Sequence, residues 1–259
     1  MIATKMPDLC EFFLRSVRLR EDKIDSFDRY PFYIPAVRNL GELEIGPKVT
    51  AFLGENGSGK STLLEAIAVA AGFNPEGGSM NFKFSTRSSE SELWRALRLV
   101  RGIRKPRTGY FFRAESYFNV ATEIESLDRE PRGGPPIIEY YGGKSLHEQS
   151  HGESFLALIQ HRFGPEGLYI LDEPEAALSP ARQLALLARI HDLVEQGSQF
   201  LMATHSPILL AYPEALLYEL SESGIRQVEY EDTEHYRITR DFLVGRELFF
   251  RELFTEEEG

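Results

Sequence analysis

Two glycines, a lysine and a serine between positions 54 and 61 have the spacing of a phosphate-binding loop. The stretch reads GENGSGKS and fits the pattern G-x-x-x-x-G-K-[ST]. Its glycines allow a turn in which successive backbone N–H groups point inward and surround phosphate oxygens. Lys60 would reach the β- and γ-phosphates of a nucleotide, and the Ser61 hydroxyl would bind Mg²⁺. The expected nucleotide contacts come from Gly54, Asn56, Gly57, Ser58, Gly59, Lys60, Ser61 and Thr62.

Further along the chain, two apolar runs end in polar residues that could act on the same nucleotide. Leu168 to Leu171 are followed by Asp172 and Glu173, and the run from Gln199 to Thr204 ends at His205. Ligands of open α/β sheets bind at the carboxyl ends of strands. We therefore expect Asp172 to hold Mg²⁺ and Glu173 to polarise an attacking water as the catalytic base. His205, at the end of a third strand, is the other expected catalytic residue.

The elements that must position these residues are predicted from apolar patterning. Val49 to Leu53 predict a buried strand and Ser61 to Ala71 a helix, which is the strand–loop–helix context that the phosphate-loop motif requires. Further helices are predicted at 153–163 and 180–195. Residues 1–50 indicate an antiparallel β layer, residues 72–148 an insertion of loops and helix that includes a helix at 92–100, and residues 211–259 edge strands and a charged helix. The prediction is one α/β domain over residues 1–259 with a mainly parallel central sheet.

The ordered strings GENGSGKS, SHGES, LYILDEPE, ALSP and ATHS resemble those of an ATP-binding-cassette (ABC) ATPase over residues 40–210. These sequence strings are most similar to those of the small bacterial proteins described as predicted ATPases of the AAA family. The resemblance implies a P-loop fold of the cassette type, ATP hydrolysis, and ATP with Mg²⁺ as cofactors. It fixes the chemistry better than the biological process that the chemistry drives.

The resemblance also gives a role to the small-residue stretch at 149–153. In ABC ATPases two subunits dimerise head to tail, and each signature loop closes on the γ-phosphate held by the other subunit. Ser150 matches the serine that bonds this phosphate, and Gly152 matches the glycine whose N–H approaches it. Glu153 replaces the usual glutamine, and His151 replaces the first glycine. The alternative is that this stretch is only the cap of the helix that follows.

Three other features carry over from the resemblance. Glu115 stands where the family has a glutamine that ligates Mg²⁺, and its role as a metal ligand is left open against a surface position. The loop from Ala177 to Pro180 resembles the one that crosses the dimer interface, and Ser179 is also a good N-cap. An aromatic residue upstream of the phosphate loop should stack on adenine. The candidates are Tyr30, Phe32 and Tyr33, for which core packing is an equal explanation.

Composition limits the cellular setting. The chain has 259 residues, of which 42% are hydrophobic, and a formal net charge of −11. Its single cysteine, Cys10, cannot form an internal disulfide, which favours a reducing compartment. No apolar run reaches the roughly 18 residues needed to span a bilayer, and the first residues lack a signal-peptide core. These features predict a cytoplasmic protein that touches a membrane only through another chain.

One segment is basic in this acidic protein. Arg95, Arg98, Arg101 and Arg104 recur every three residues, a spacing that places neighbours along one helical face. The first interpretation is a solvated surface with local salt bridges. The second is a docking surface for an acidic partner or for nucleic-acid phosphates.

Three classes of function remain. The first is a stand-alone soluble ATPase that forms an ATP-dependent homodimer and acts as a switch on a protein partner. The second is the nucleotide-binding subunit of a membrane transporter, although such subunits usually keep L-S-G-G-Q and the Mg²⁺-loop glutamine. The third is a compact DNA-associated ATPase, since the interval from Lys60 to Ser150 is too short for a chromosome-type coiled-coil arm. The two departures from the transporter pattern favour the first class.

Overall fold

The structure of the protein is a computed structural model, which describes residues 13–80, 91–117 and 151–254 and short pieces between 121 and 143. Strands and helices are numbered along the chain. A small antiparallel sheet has the strand order β2-β1-β5. Its strands are β1 (Leu14–Leu19), β2 (Glu42–Glu44) and β5 (Leu97–Arg101). This sheet is the antiparallel layer that the first 50 residues predict.

A seven-stranded sheet forms the centre, with the order β10-β9-β3-β8-β7-β6-β4. Its strands are β3 (Val49–Gly54), β4 (Gly78–Ser79), β6 (Thr108–Arg113), β7 (Gly167–Asp172), β8 (Gln199–Ala203), β9 (Leu216–Ser221) and β10 (Gly224–Val228). The five inner strands are parallel, and β10 and β4 run antiparallel at the two edges. Every residue of β3, β7 and β8 is buried, as expected of parallel strands covered on both faces.

The described helices cover both faces of this sheet. They are α1 (Pro35–Arg38), α2 (Lys60–Ala71), α3 (Leu93–Ala96), α4 (His151–Arg162), α5 (Pro180–Glu195), α6 (Pro207–Leu210) and α7 (Glu234–Phe254). Short 3-10 turns occur at Glu21–Lys23, Pro174–Ala177 and Tyr230–Asp232. Within these described elements, no helix is long and apolar enough to cross a membrane.

Two apolar cores lie on opposite faces of the central sheet. Strand β7 shows the division, because Ile170 packs in the core beside α2 while Leu171 packs in the core beside α4 and α5. Successive side chains of a strand point to opposite faces, so one apolar strand serves both cores. The carboxyl ends of β3, β7 and β8 consequently meet at one edge of the sheet. The structure thus confirms the α/β class and the mainly parallel central sheet.

The predicted helix at 92–100 is wrong beyond its first turn. Only Leu93–Ala96 is helical, and Leu97–Arg101 forms β5. The apolar positions fit both a helix and a strand, and pairing with β1 decides the outcome: Leu97 lies opposite Leu19 and Leu99 opposite Val17. Local pattern cannot resolve such a choice when the partner strand is distant in sequence.

The basic helical face predicted for Arg95, Arg98, Arg101 and Arg104 therefore does not exist. Arg95 lies on α3, whereas Arg98 and Arg101 lie on a strand. Arg104 forms an ion pair with Glu166, and Arg107 Nε lies 2.6 Å from the same carboxylate. These contacts match the interpretation of this segment as a surface with local salt bridges.

Gln199 connects the two sheets through a completely buried side chain. Its Oε1 accepts hydrogen bonds from the backbone N–H groups of Phe13 (3.1 Å) and Leu14 (2.9 Å). Its Nε2 donates to the carbonyl oxygens of Leu14 (2.8 Å) and Gly46 (2.7 Å). One amide thus satisfies four backbone groups at the start of β1 and the turn before β3.

We expect Gln199→Leu to lower the free energy of unfolding by about 2–5 kcal/mol, because each buried polar group left without a partner costs about 1–3 kcal/mol. Urea unfolding followed by circular dichroism measures this loss. Gln227→Leu is the matched control, since Gln227 is an exposed residue of β10. An equal effect of the two substitutions would show that the four hydrogen bonds contribute nothing beyond side-chain size.

Candidate functional site

The phosphate-binding loop lies between the buried end of β3 and the start of α2, as predicted. Gly59, at the N-cap of α2, has a φ of 100°. A Cβ at this position would come within 2.8 Å of Ile34 Cγ2, so both backbone conformation and space require glycine. The loop directs the N-terminus of a 12-residue helix toward the carboxyl edge of the sheet. Helix N-termini carry partial positive charge and bind phosphate.

Lys60 is buried at the first turn of α2. Its Nζ donates hydrogen bonds to the carbonyl oxygens of Gly54 and Glu55, each at 2.9 Å, and so closes the loop on itself. Burial lowers the pKa of Lys60, and the nearby carboxylates of Glu173 and Asp172 oppose that shift. The loop therefore holds a largely desolvated amine beside an acidic cluster, which is suited to a ligand that carries several negative charges.

Ser61 and Asp172 come together although they are far apart in sequence. Ser61 Oγ donates to Asp172 Oδ1 at 2.9 Å, which links the start of α2 to the carboxyl end of β7. Burial raises the pKa of Asp172 to about 6; the hydrogen bond from Ser61 and the charge of Arg113 act in the opposite direction. Asp172 is thus a buried carboxylate that one hydroxyl fixes to the start of α2.

The pair of oxygens fits a magnesium ion bound together with a nucleotide. Mg²⁺ in such sites takes one or two protein oxygens and completes its shell with phosphate oxygens and water. Among the residues that the structure describes, no group of three or more His, Cys, Asp or Glu side chains could hold a metal alone. Ser61 and Asp172 are the oxygen donors that could hold Mg²⁺ here.

Arg113 is a site residue that sequence reasoning missed. It ends β6 directly opposite Asp172 in the sheet register. Its Nη1 donates to Glu65 Oε2 at 2.6 Å, and its Nε lies 3.7 Å from Asp172 Oδ2. The only signal in the sequence is a charged residue ending an apolar strand. The arginine is a fixed cation behind Asp172 that ties β6 and β7 to α2.

Glu115, the predicted third metal ligand, is at the surface. Its side chain is 86% exposed, and its closest ion-pair partner is Arg113 at 3.8 Å. Its negative charge contributes to the raised pKa of Asp172, which places it in the same electrostatic environment. A direct role in binding the metal stays a prediction.

Glu173 follows β7 in a strained conformation. Its φ of 51° and ψ of 52° lie in the left-handed region, which is uncommon for residues other than glycine. Its N–H donates to the Ala203 carbonyl oxygen at 2.9 Å, which holds it beside the end of β8. Backbone strain of this kind persists where the surrounding structure fixes it, often in a functional site. The position is consistent with the predicted catalytic base.

His205 follows the end of β8 and lies close to Glu173. Its N–H donates to Glu175 Oε1 at 2.6 Å. Burial lowers the pKa of His205, the charge of Lys60 lowers it further, and the charge of Glu173 raises it. The structure thus brings His205, Lys60 and Glu173 into one electrostatic cluster. Glu175, which fixes the backbone of His205, was not predicted; its only sequence signal is a third acid shortly after the strand.

Residues 151–153 of the predicted signature stretch begin α4, and Ser150 lies outside the described residues. The helix begins at His151, two residues earlier than predicted. A Cβ on Gly152 would come within 2.5 Å of the Ala177 carbonyl oxygen, so glycine lets α4 approach the turn after Glu173. Glu153 is exposed and lies 3.5 Å from Arg182 Nη2. The glycine thus has a packing role within the chain, and the action of these residues on a second subunit stays a prediction.

The three aromatic candidates for adenine contact differ in their exposure to solvent. Phe32 is a core residue at 4% exposure, whereas Tyr30 and Tyr33 are 58% and 55% exposed. The Tyr30 hydroxyl lies 3.3 Å from Thr62 Oγ1, so it borders the phosphate-binding helix. These positions leave Tyr30 and Tyr33 as the two candidates.

Two family models match adjacent parts of the chain. The first, described as "AAA domain", matches residues 24–126 and includes the phosphate-binding loop. The second, described as "AAA domain, putative AbiEii toxin, Type IV TA system", matches residues 145–211 and includes Asp172, Glu173 and His205. Both halves of the site therefore fall within matches to models described as AAA domains.

Curated relatives indicate which kind of ATPase the chain resembles. The chain is 28% identical over 185 residues to the ABC transporter G family member STR2 of Medicago truncatula, a match that covers 61% of this chain and 24% of that protein. The chain is therefore similar to ABC-type ATPases. It is also 27% identical over 187 residues to the hemin import ATP-binding protein HmuV of Pseudomonas aeruginosa, covering 66% of the chain and 71% of that protein.

A solved structure gives a further comparison. It is an ATP-binding cassette of an ABC transporter in its ADP conformation, with 19% identity and a TM-score of 0.48. The alignment covers 90% of this chain and 99% of that one. The likeness to ABC-type ATPases rests on the family models and the curated relatives.

Proposed function

We propose that the protein binds Mg²⁺–ATP at the loop 54–62 and hydrolyses it in a head-to-tail dimer, acting as a conformational switch on a protein partner. The observation that carries this proposal is the contact between Ser61 and Asp172 at 2.9 Å. It joins the phosphate-loop helix to the strand that ends in the acidic pair. The buried Lys60 and the strained Glu173 lie in the same cluster.

In this proposal, the chain's own groups divide the work of hydrolysis. Lys60 and the loop N–H groups neutralise phosphate charge, and Ser61 with Asp172 supplies the metal ligands. Glu173 orients the attacking water and accepts its proton. His205 donates a hydrogen bond to the γ-phosphate, and Glu175 fixes its backbone through the 2.6 Å contact. When bound, Mg²⁺ supplies Lewis-acid charge neutralisation on the phosphates.

In the proposed dimer, the second subunit contributes the stretch 150–153, of which residues 151–153 begin α4. Gly152 packs this helix against the turn after Glu173, so a movement of α4 would change the position of the catalytic glutamate. A helix N-terminus presented to the partner's nucleotide adds partial positive charge to the phosphate. ATP would then hold the two chains together until hydrolysis removes the γ-phosphate.

A transporter subunit is the second candidate, and the curated relatives favour it. HmuV, by its name a hemin import ATP-binding protein, shares 27% identity over most of its length. Affinity capture from detergent-solubilised membranes of the source cells distinguishes the two candidates. A co-purifying protein with several membrane-spanning segments would support the transporter class. The described contacts of the basic segment give no support to the DNA-associated class.

The loop is tested by Lys60→Ala. Charge-assisted hydrogen bonds contribute about 1.5–3 kcal/mol each, so the Kd for Mg²⁺–ATP should rise by about tenfold to a hundredfold. Isothermal titration calorimetry measures the change, and circular dichroism confirms that the variant is folded. Lys48→Ala removes a surface lysine that pairs with Glu214 and should leave the Kd unchanged. An unchanged Kd for Lys60→Ala would place the nucleotide elsewhere.

A further inference from the structure

Two histidines from distant parts of the chain meet beside the phosphate-binding loop. His205 follows β8, and His235 lies in the first turn of α7. The Nδ1 atom of His205 lies 3.3 Å from the Nε2 atom of His235, and the two ring centroids are 5.5 Å apart. Sequence reasoning gave a role to His205 and none to His235.

The first turn of α7 is held in place against the element that follows His205. The Thr233 hydroxyl donates to the Tyr230 carbonyl oxygen at 2.7 Å and accepts from the Tyr236 N–H at 3.3 Å. The Tyr230 hydroxyl in turn donates to the Pro207 carbonyl oxygen at 2.9 Å, at the start of α6. Thr233 is 1% exposed, whereas no residue of α7 itself is buried. The structure therefore anchors α7 at the end that carries His235.

The hydrogen-bonding capacity of the two imidazole rings limits how the pair can be protonated. Burial lowers the pKa of His205 and that of His235, and the charge of Lys60 lowers both further. Two neutral imidazoles form a hydrogen bond only if one donates and the other accepts. Within the described residues, His205 Nε2 and His235 Nδ1 are buried and have no hydrogen-bond partner. The contact therefore allows two arrangements, in which either His205 Nδ1 or His235 Nε2 carries the shared proton.

We propose that His235 donates its Nε2 proton to His205 Nδ1 and thereby holds His205 as the tautomer with a proton on Nε2. This inference rests on the proposed function, in which His205 contacts the γ-phosphate. The phosphate oxygens accept hydrogen bonds, and His205 Nδ1 already faces His235, so a neutral His205 can contact the phosphate only through Nε2–H. Its Nδ1 must then accept a hydrogen bond, and His235 Nε2 is in position to donate it. His235 is a positioning residue in this arrangement.

Proton location is tested directly by NMR. In protein labelled with ¹⁵N-histidine, long-range ¹H–¹⁵N spectra at neutral pH distinguish the two neutral tautomers from the imidazolium. The His205 signals are assigned by their loss in His205→Ala. We expect His205 to carry its proton on Nε2. A proton on Nδ1, or a cationic ring, would overturn the proposal.

Steady-state ATP hydrolysis gives an independent test with two substitutions. His235→Leu removes the donor, and kcat should fall by about tenfold to a hundredfold, as is typical when a supporting partner of a site histidine is lost, while KM changes little. His235→Gln offers an amide N–H at nearly the same place and should restore most of the activity. His161→Leu changes an exposed histidine of α4 and should have no effect. Equal losses in His235→Leu and His235→Gln would show a packing role only.

A third variant separates failure of this inference from failure of the proposed function. If His205→Ala lowers kcat, then the double variant His205→Ala/His235→Leu should be no slower than His205→Ala alone, because both changes remove the same interaction. A further multiplicative loss in the double variant would show that His235 acts elsewhere. Full activity in His235→Leu with a slow His205→Ala would overturn the inference and leave the ATPase proposal standing. Wild-type kcat in His205→Ala would overturn the role proposed for His205, and the inference with it, while the assignments of Lys60, Ser61, Asp172 and Glu173 would stand.

Discussion

The Glu173→Gln variant is expected to bind Mg²⁺–ATP as tightly as the wild-type protein and to hydrolyse it about 10²–10⁴-fold more slowly, the usual cost of losing a positioned base. The amide has the shape of the carboxylate but cannot accept a proton from water. Its backbone lies in the left-handed region for either residue, so the substitution adds no new strain. Phosphate release at saturating ATP measures turnover, and calorimetry measures binding.

The control for this prediction is Glu222→Gln, which makes the same change at an exposed position between β9 and β10. It should leave both binding and turnover unchanged. Wild-type turnover in Glu173→Gln would show that another group positions the water. Loss of binding together with turnover would instead indicate damage to the phosphate-binding loop.

Those parts of the fold that follow from local pattern could be predicted from the sequence. The strand before the phosphate loop, the helix after it and the helix at 180–195 all agree with the structure, because apolar periodicity, Gly59 and Pro180 mark their limits. Strand β5 could not be predicted, because its partner β1 lies about 80 residues earlier and decides between two patterns that the sequence fits equally.

The candidate site likewise contains residues whose contacts could be predicted from the sequence and residues whose contacts could not. The contact between Ser61 and Asp172 could be predicted. Asp172 ends one apolar strand and Ser61 follows the loop after another, and the carboxyl ends of parallel strands meet at one edge of the sheet. Arg113 and His235 could not be predicted, since their roles depend on strand register and on where a distant helix begins. The extent of the domain and the position of Ser150 stay predictions.

The largest effect of all is expected from pairing two inactive variants. Lys60→Ala should fail at the phosphate loop, and Ser150→Arg should fail at the signature stretch because a bulky cation stands where the γ-phosphate must approach. Each variant alone should show almost no hydrolysis. A mixed dimer, however, joins the intact loop of one chain to the intact signature of the other at one of its two sites. Activity should therefore return on mixing if the stretch at 150–153 acts in the partner subunit.

The control for mixing is a pair that cannot complement. Lys60→Ala mixed with Glu173→Gln changes two residues that our proposal places on the same side of one composite site. Every site in that mixture keeps either an altered loop or an altered base, so activity should stay at the level of the separate variants. Circular dichroism on each variant establishes that all three are folded before they are mixed.

Phosphate release from the equimolar mixture of Lys60→Ala and Ser150→Arg, compared with the two variants measured separately at the same total concentration, tests the composite site most directly. A statistical mixture contains about half mixed dimers, each with one intact site of two, so we predict recovery of up to about a quarter of wild-type activity if the two sites act independently. No recovery in the mixture of folded variants would contradict the account and leave the 150–153 stretch as a helix cap.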